Sequence, residues 1–184
     1  QEDIYVSLDF SRDGRDFQRP ADRPALIGLG DEGSWDGGMV PASHWIEVGD
    51  EWHIYYVGTH SPHKARFPGP CSGLARLRKE GFASLRSPAG GGFVVTRAFT
   101  CPGGRLFVNA DATSGELQVR LTDYERQPLS DFTEPSQTIT GDNVRHEICW
   151  EGLQTTDLKG RELRLEFAMK GVVDLYSFCF SDKV

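Results

Sequence analysis

The sequence predicts an all-β chain: a partial β-propeller of about one blade, followed by an antiparallel β-sandwich. Three observations carry this. Short apolar runs with period-2 alternation recur along the chain, separated by tight-turn residues. Composition agrees, with 21 glycines, 10 prolines and 20 aromatic residues in 184. No stretch has the 3.6-residue periodicity of a long amphipathic helix.

The first run, Ile4 to Phe10, is a mostly apolar strand that ends at the turn Ser11-Arg12-Asp13-Gly14. Ile46-Glu47-Val48 and His53 to Gly58 flank Gly49-Asp50-Glu51 and form a hairpin. Gly73 to Arg78 adds a strand that stops at Lys79-Glu80-Gly81. About four strands joined by short turns are the content of one propeller blade, a sheet whose faces need neighbours to cover them. The texture then changes, with a boundary in Gly81 to Gly92, so residues 1–81 read as a blade-like segment and 82–184 as a β-sandwich of jelly-roll type. Gly90-Gly91-Gly92 reads as a flexible join before Phe93 to Thr96. Arg105 to Ala110 and Glu116 to Leu121 alternate on either side of the turn Thr113-Ser114-Gly115. Arg145 to Trp150, Arg161 to Met169 and Asp174 to Phe180 complete the strands, and Leu153 to Leu158 suits a short 3₁₀ turn. One apolar and one polar face per strand is the sandwich pattern. Tyr176, Phe178 and Phe180 read as core.

Twenty basic against 27 acidic residues give a net charge of −7. That argues against a phosphate-backbone partner, which calls for a basic face. No apolar run approaches the ~20 residues of a membrane span, so a soluble chain with no membrane partner is expected. The start at Gln1-Glu2-Asp3-Ile4 looks like that of a mature or truncated product. No phosphate-binding glycine loop, GxGxxG or nucleophile elbow is present.

Cys71, Cys101, Cys149 and Cys179 form no CxxC pair and have no histidine at zinc-ligand spacing. Cys149 and Cys179 each lie between large apolar neighbours, so both point to the outer face of a sheet. They would meet in a disulfide if their strands adjoin, and remain unpaired thiols otherwise.

The segments Ser11-Arg12-Asp13-Gly14, Phe17-Gln18-Arg19-Pro20, Gly33-Ser34-Trp35-Asp36 with Met39-Val40, Val48-Gly49-Asp50-Glu51 and Ile54-Tyr55-Tyr56-Val57-Gly58 occur in that order. As a set they resemble the final blade of the five-bladed β-propeller glycosidase-like proteins, similar to glycoside hydrolase families 43 and 32. Gly104-Arg105-Leu106, Asn109-Ala110-Asp111, Gly115-Glu116, Gly160 and Asp174 to Phe178 resemble the β-sandwich that trails such propellers. The resemblance implies carbohydrate as partner, further blades upstream or on another chain, and an extracellular or periplasmic location. It also implies three catalytic carboxylates from different blades, so one blade cannot hold the full acid–base set, and no catalytic residue is assigned in this chain. The function expected is that of a C-terminal portion that binds or hydrolyses carbohydrate. The alternatives are a non-catalytic carbohydrate-binding or adhesion module and a structural interaction domain with an open edge strand.

Within that frame Trp35 and Asp36 are the leading substrate-binding candidates. A carboxylate accepts sugar hydroxyls, and an indole face suits the C–H face of a sugar ring. The alternative is a turn in which Asp36 caps the amides of Gly37, Gly38 or Met39 and Trp35 packs between blades. His60 and Arg66, with His63 and Lys64, form a second set of pocket candidates, against an exposed mixed-polar loop. A metal at His60 and His63 lacks a suitably spaced carboxylate, and no cofactor is expected. Structural calcium at Asn109, Asp111 and Glu116 competes with ordinary turn chemistry. Trp45, Trp52 and Trp150 default to packing roles.

Overall fold

The computed structural model describes residues 3–63 and 69–182. Every regular element among them is a β-strand apart from one 3₁₀ turn, so the chain is all-β with several antiparallel sheets. It divides into two compact units, Gln1–Lys79 and Glu80–Val184.

In the first unit β1 (Val6–Ser7) and β2 (Ala25–Ile27) form a small antiparallel pair. The strand expected over Ile4 to Phe10 is therefore much shorter. Past it, Phe10 and Gln18 bridge a loop in which Asp13 accepts the amides of Arg15 and Asp16 at 2.8 and 2.9 Å. The loop satisfies its amides through Asp13, and those bonds hold the Asp13 carboxyl below its ordinary value. β3 (Ala42–Val48), β4 (Glu51–Gly58) and β5 (Cys71–Arg78) make a three-stranded meander with β4 in the centre. Val48 pairs with Glu51, which leaves Gly49-Asp50 as a two-residue loop. Gly49 has φ +60 at the first central position, the requirement of a type II′ turn.

Alternation along β4 puts Ile54, Tyr56 and Gly58 on one face and His53, Tyr55 and Val57 on the other. Ile54 is buried while Tyr55 is 42% exposed. Among the described residues only Val40 and Ile54 of this unit join the buried apolar set, and the rest of that set belongs to the second unit. Trp45, Ile46, Val48, Tyr55 and Leu74 of the meander all stay exposed. A sheet this thinly covered has little hydrophobic stabilisation of its own.

In the second unit β6 (Leu85–Arg86), β7 (Gly92–Val95) and β8 (Phe99–Thr100) are short strands on β11. The frame is β9 (Arg105–Thr122), β10 (Ile139–Glu147) and β11 (Glu162–Ser181), in the order β10-β9-β11-β6. The 3₁₀ turn spans Thr155–Leu158, inside the expected segment. β9 and β11 pair from Thr122 and Arg164 to Arg105 and Ser181. One expected turn is therefore corrected, since Thr113-Ser114-Gly115 lies inside a continuous strand, and the separately expected strands Arg161 to Met169 and Asp174 to Phe180 are one strand. There Gly115 pairs with Gly171. A Cβ on Gly115 would stand 2.5 Å from the Lys170 carbonyl oxygen, and one on Gly171 2.7 Å from that of Ser114. Gly171 also has φ +72. Facing glycines let the ribbon bend at close backbone approach without breaking its ladder, and the register slips between Val172 and Asp174.

β10 likewise begins earlier than expected and ends at Glu147, so Trp150 lies beyond it in an isolated bridge to Leu153. Leu106, Val108, Leu117, Val119, Leu121, Leu163, Leu165 and Phe167 form the core with Leu129, Phe132, Ile148 and Trp150. The expected core role of the last strand holds only in part. A second slip between Leu175 and Ser177 leaves Phe178 39% exposed, although its ring still meets Phe99 and Phe167. Asp174, 6% exposed, accepts three contacts from Arg86 and one from Ser84, which fastens β6 to β11.

All four cysteines are free. β9 lies between the strand of Cys179 and the segment of Cys149, since Phe107 pairs with both Cys179 and Glu147. Two strand spacings, about 9.5 Å, exceed the ~7 Å Cα limit of a disulfide. The condition that the strands adjoin is not met.

Candidate functional site

The loop that carries Gly33 to Val40 folds against the end of β4. Gly38 and Met39 donate their amides to the Thr59 carbonyl at 2.8 and 3.4 Å, and Thr59 donates back to Met39 at 3.0 Å. Gly38 permits this approach, because a Cβ there would overlap the backbone of Ser61. Within the loop Ser34 donates its amide to the Asp31 carbonyl at 2.9 Å. Trp35 and Asp36 are thus presented from a turn fixed at both ends.

Asp36 does not cap the amides of Gly37, Gly38 or Met39. Its Oδ1 accepts the Ser34 hydroxyl at 2.9 Å and its Oδ2 accepts the Tyr56 hydroxyl at 3.1 Å. Among the described residues it has no cationic partner. Each oxygen keeps an accepting position beyond the bond it already holds. Burial, the hydrogen bond to Asp36 and its negative charge hold the Tyr56 phenol above its ordinary pKa, so Tyr56 is a neutral donor.

Trp35 stacks on Tyr56, with ring centroids 5.6 Å apart and an interplanar angle of 24°. The aromatic pair lies over a floor of two glycines. A Cβ on Gly73 would meet Tyr56 Cζ at 2.5 Å and Trp35 Cη2 at 2.6 Å, and one on Gly58 would overlap the indole. Tyr56 pairs with Gly73 across β4 and β5, so strand register itself sets the ring above the gap. The indole remains 40% exposed. Rim polarity comes from His60, exposed, whose Nδ1 donates to the Ser34 carbonyl at 3.0 Å; a neutral ring then leaves Nε2 as an acceptor.

Of the four expected site residues, Trp35, Asp36 and His60 therefore gather around Ser34. Arg66 lies outside the described residues, as does Lys64. Sequence reasoning missed Tyr56 and Ser34 as members of the group. The available signal was period 2 along β4, which puts Tyr56 on the same face as Gly58. Asn109, Asp111 and Glu116 do not converge. Asn109 is buried within β9, Asp111 accepts the Thr113 amide and hydroxyl at 3.0 and 2.7 Å, and Glu116 pairs with Lys170. No cluster of three metal-ligating side chains occurs among the described residues. No protein-family model, curated protein or solved structure matches the chain.

Proposed function

We propose that this chain is the C-terminal portion of a glycosidase-like protein, about one propeller blade followed by a β-sandwich, and that its own contribution is to bind carbohydrate at Trp35 and Asp36. The observation that carries the reading is the Ser34–Asp36–Tyr56 hydroxyl–carboxylate chain beneath a half-open indole. Sugars need carboxylate acceptors beside an aromatic face, and this loop supplies both with the carboxylate already oriented. The exposed apolar meander supports a partner as well: further blades, in the same protein or on another chain, would cover it. The missing acid–base carboxylates would come from those blades. An extracellular or periplasmic setting accompanies this reading.

The test is a glycan-array screen followed by calorimetry on the hits. Trp35→Ala and Asp36→Asn should each weaken binding about tenfold or more, an affinity loss of about 1.4 kcal/mol. Unchanged affinity in both variants would overturn the site. Hydrolysis of a bound glycan by this chain alone would overturn the assignment of the catalytic pair to other blades.

A further inference from the structure

The Trp35–Asp36 site has an electrostatic feature that a neutral sugar leaves unused. The Asp36 carboxylate holds only neutral donors, the hydroxyls of Ser34 and Tyr56. Residues 24–43 contain no lysine, arginine or histidine, yet they hold Asp31, Glu32 and Asp36. None of the three makes an ion pair among the described residues. Asp31 belongs to the same turn, since its carbonyl accepts the Ser34 amide at 2.9 Å. His60 is turned to the Ser34 carbonyl at 3.0 Å and pairs with none of them. The turn is negative and uncompensated.

The rings beside it are equally without a cation. In the second unit exposed rings already carry an arginine, Arg126 over Phe93 at 5.4 Å and Arg164 over Tyr124 at 5.1 Å. Among the described residues no cation lies over Trp35 or Tyr56, although indole attracts one best of all the aromatic side chains. Indole and carboxylate lie side by side. A Cβ on Gly58 would stand 2.3 Å from the indole Cζ3 and 2.6 Å from the Asp36 Cβ. Tyr56 touches both, stacking on the indole and donating to the carboxylate.

We infer that the carbohydrate taken by this site is an amino sugar with a free, protonated amine. The inference rests on the reading of Trp35 and Asp36 as a sugar site and names its ligand class. An ammonium gives Asp36 a charge-assisted bond, roughly twice as strong as one from a neutral hydroxyl. The same cation gains attraction from the open indole face. Acetylating the amine removes both gains, and the carboxylate of a uronate is repelled. A bare alkylammonium keeps the charge but has no sugar ring to cover the half-open indole.

The experiment uses the full chain, ¹⁵N-labelled, with the Trp35 indole cross-peak assigned by its disappearance in Trp35→Phe. Glucosamine, glucose, N-acetylglucosamine and glucuronate are titrated separately to ~100 mM at about pH 6, which keeps a sugar amine protonated. Methylammonium serves as the charge-only probe. Glucosamine should shift the peak saturably and bind about tenfold or more tightly than each of the others, a difference of about 1.4 kcal/mol. Raising salt from about 20 to about 300 mM should weaken glucosamine more than glucose. The ranking on the unsubstituted chain decides without any variant. Asp36→Asn should then lower glucosamine to the level of glucose, with a dispersed Trp35 peak as the sign of an intact loop. If glucose, N-acetylglucosamine or glucuronate binds as tightly as glucosamine, the amino-sugar inference fails and the sugar site stands. If no sugar moves the peak, or methylammonium matches glucosamine, the inference and the carbohydrate reading fall together. A glucosamine preference that survives Asp36→Asn reduces to attraction by the net charge of −7 and overturns the inference alone.

Discussion

Gly73→Ala tests the central geometric claim, that a glycine floor seats the aromatic pair. The new methyl carbon would stand 2.5 Å from Tyr56 Cζ and 2.6 Å from Trp35 Cη2. Carbon contacts settle near ~3.5 Å, so both rings must retreat by about 1 Å. That retreat disturbs the 5.6 Å stack and the 3.1 Å bond from Tyr56 to Asp36. Overpacking of this kind costs about 1–3 kcal/mol, and the reduced freedom of the unfolded chain returns about 0.4–1 kcal/mol. A net loss of about 1–2 kcal/mol follows, or roughly 4–8 °C in midpoint per kcal/mol for a unit of this size. Gly28→Ala is the control within the same unit, since a Cβ there meets only the Ala25 Cβ at an ordinary 3.7 Å and its φ is not left-handed. It should be neutral or slightly stabilising. The assay is thermal unfolding followed by tryptophan fluorescence, which reports mainly the first unit because three of the four indoles, Trp35, Trp45 and Trp52, are in it. In a Trp35→Ala/Tyr56→Ala background the Gly73→Ala cost should disappear, giving a coupling of about 1 kcal/mol or more. If Gly73→Ala is as stable as Gly28→Ala, or its cost persists without the rings, the floor argument fails.

Three other outcomes follow from the same coordinates. Arg86 and Ser84 hold the Asp174 carboxyl below its ordinary pKa, against the opposing effect of burial. A depressed carboxylate stabilises above its unfolded value of about 3.9 and loses that contribution as pH falls through the lower folded value. Asp174→Asn should therefore cost about 1–3 kcal/mol at pH 7, and urea midpoints of variant and parent should converge below about pH 4. Parallel midpoints down to pH 2 would contradict the ion pair. The raised Tyr56 phenol favours the native state below an ordinary value of about 10, and this advantage is lost as pH rises through the folded value. In Asp36→Asn the Tyr56 titration, followed by ring-carbon NMR, should move down yet stay elevated because burial persists; an unmoved curve would show that the two groups do not interact. A thiol reagent should modify exposed Cys71, Cys149 and Cys179 in the native chain, and Cys101, 1% exposed, only on unfolding. Two thiols missing in denaturant without reductant would reveal a disulfide instead.

The meander was legible because its determinants are local: alternation in His53 to Gly58, and a Gly-Asp pair that fits a two-residue loop. The same locality misled at the bend of β9 and β11. Ser114-Gly115 read as a turn and Lys170-Gly171 fell between two separately read strands, and only their apposition across β9 and β11 makes them a kink within one ribbon. Trp35 and Asp36 stood out by residue type. Tyr56 did not, because its role depends on a loop 20 residues away folding back over its own strand. The disulfide question turned on which strand lies between two others, and neither cysteine's neighbours encode that order.

The long β9–β11 ribbon also fixes an order of assembly. Thr122 and Arg164 are 42 residues apart along the chain, whereas Arg105 and Ser181, at the other end, are 76 apart. Loop closure favours the nearer contact by only about 0.5 kcal/mol, but each later pair then forms with its neighbour already in place. Pairing should therefore run from Thr122–Arg164 through the double-glycine kink to Arg105–Ser181, like a zipper with a hinge halfway. Pulse-labelled hydrogen exchange would show amides near Thr122 and Leu165 protected before those near Leu106 and Phe180. The kink is then a checkpoint: a side chain at Gly171 would stall closure midway, leaving the outer half of β9 unpaired and open to other chains.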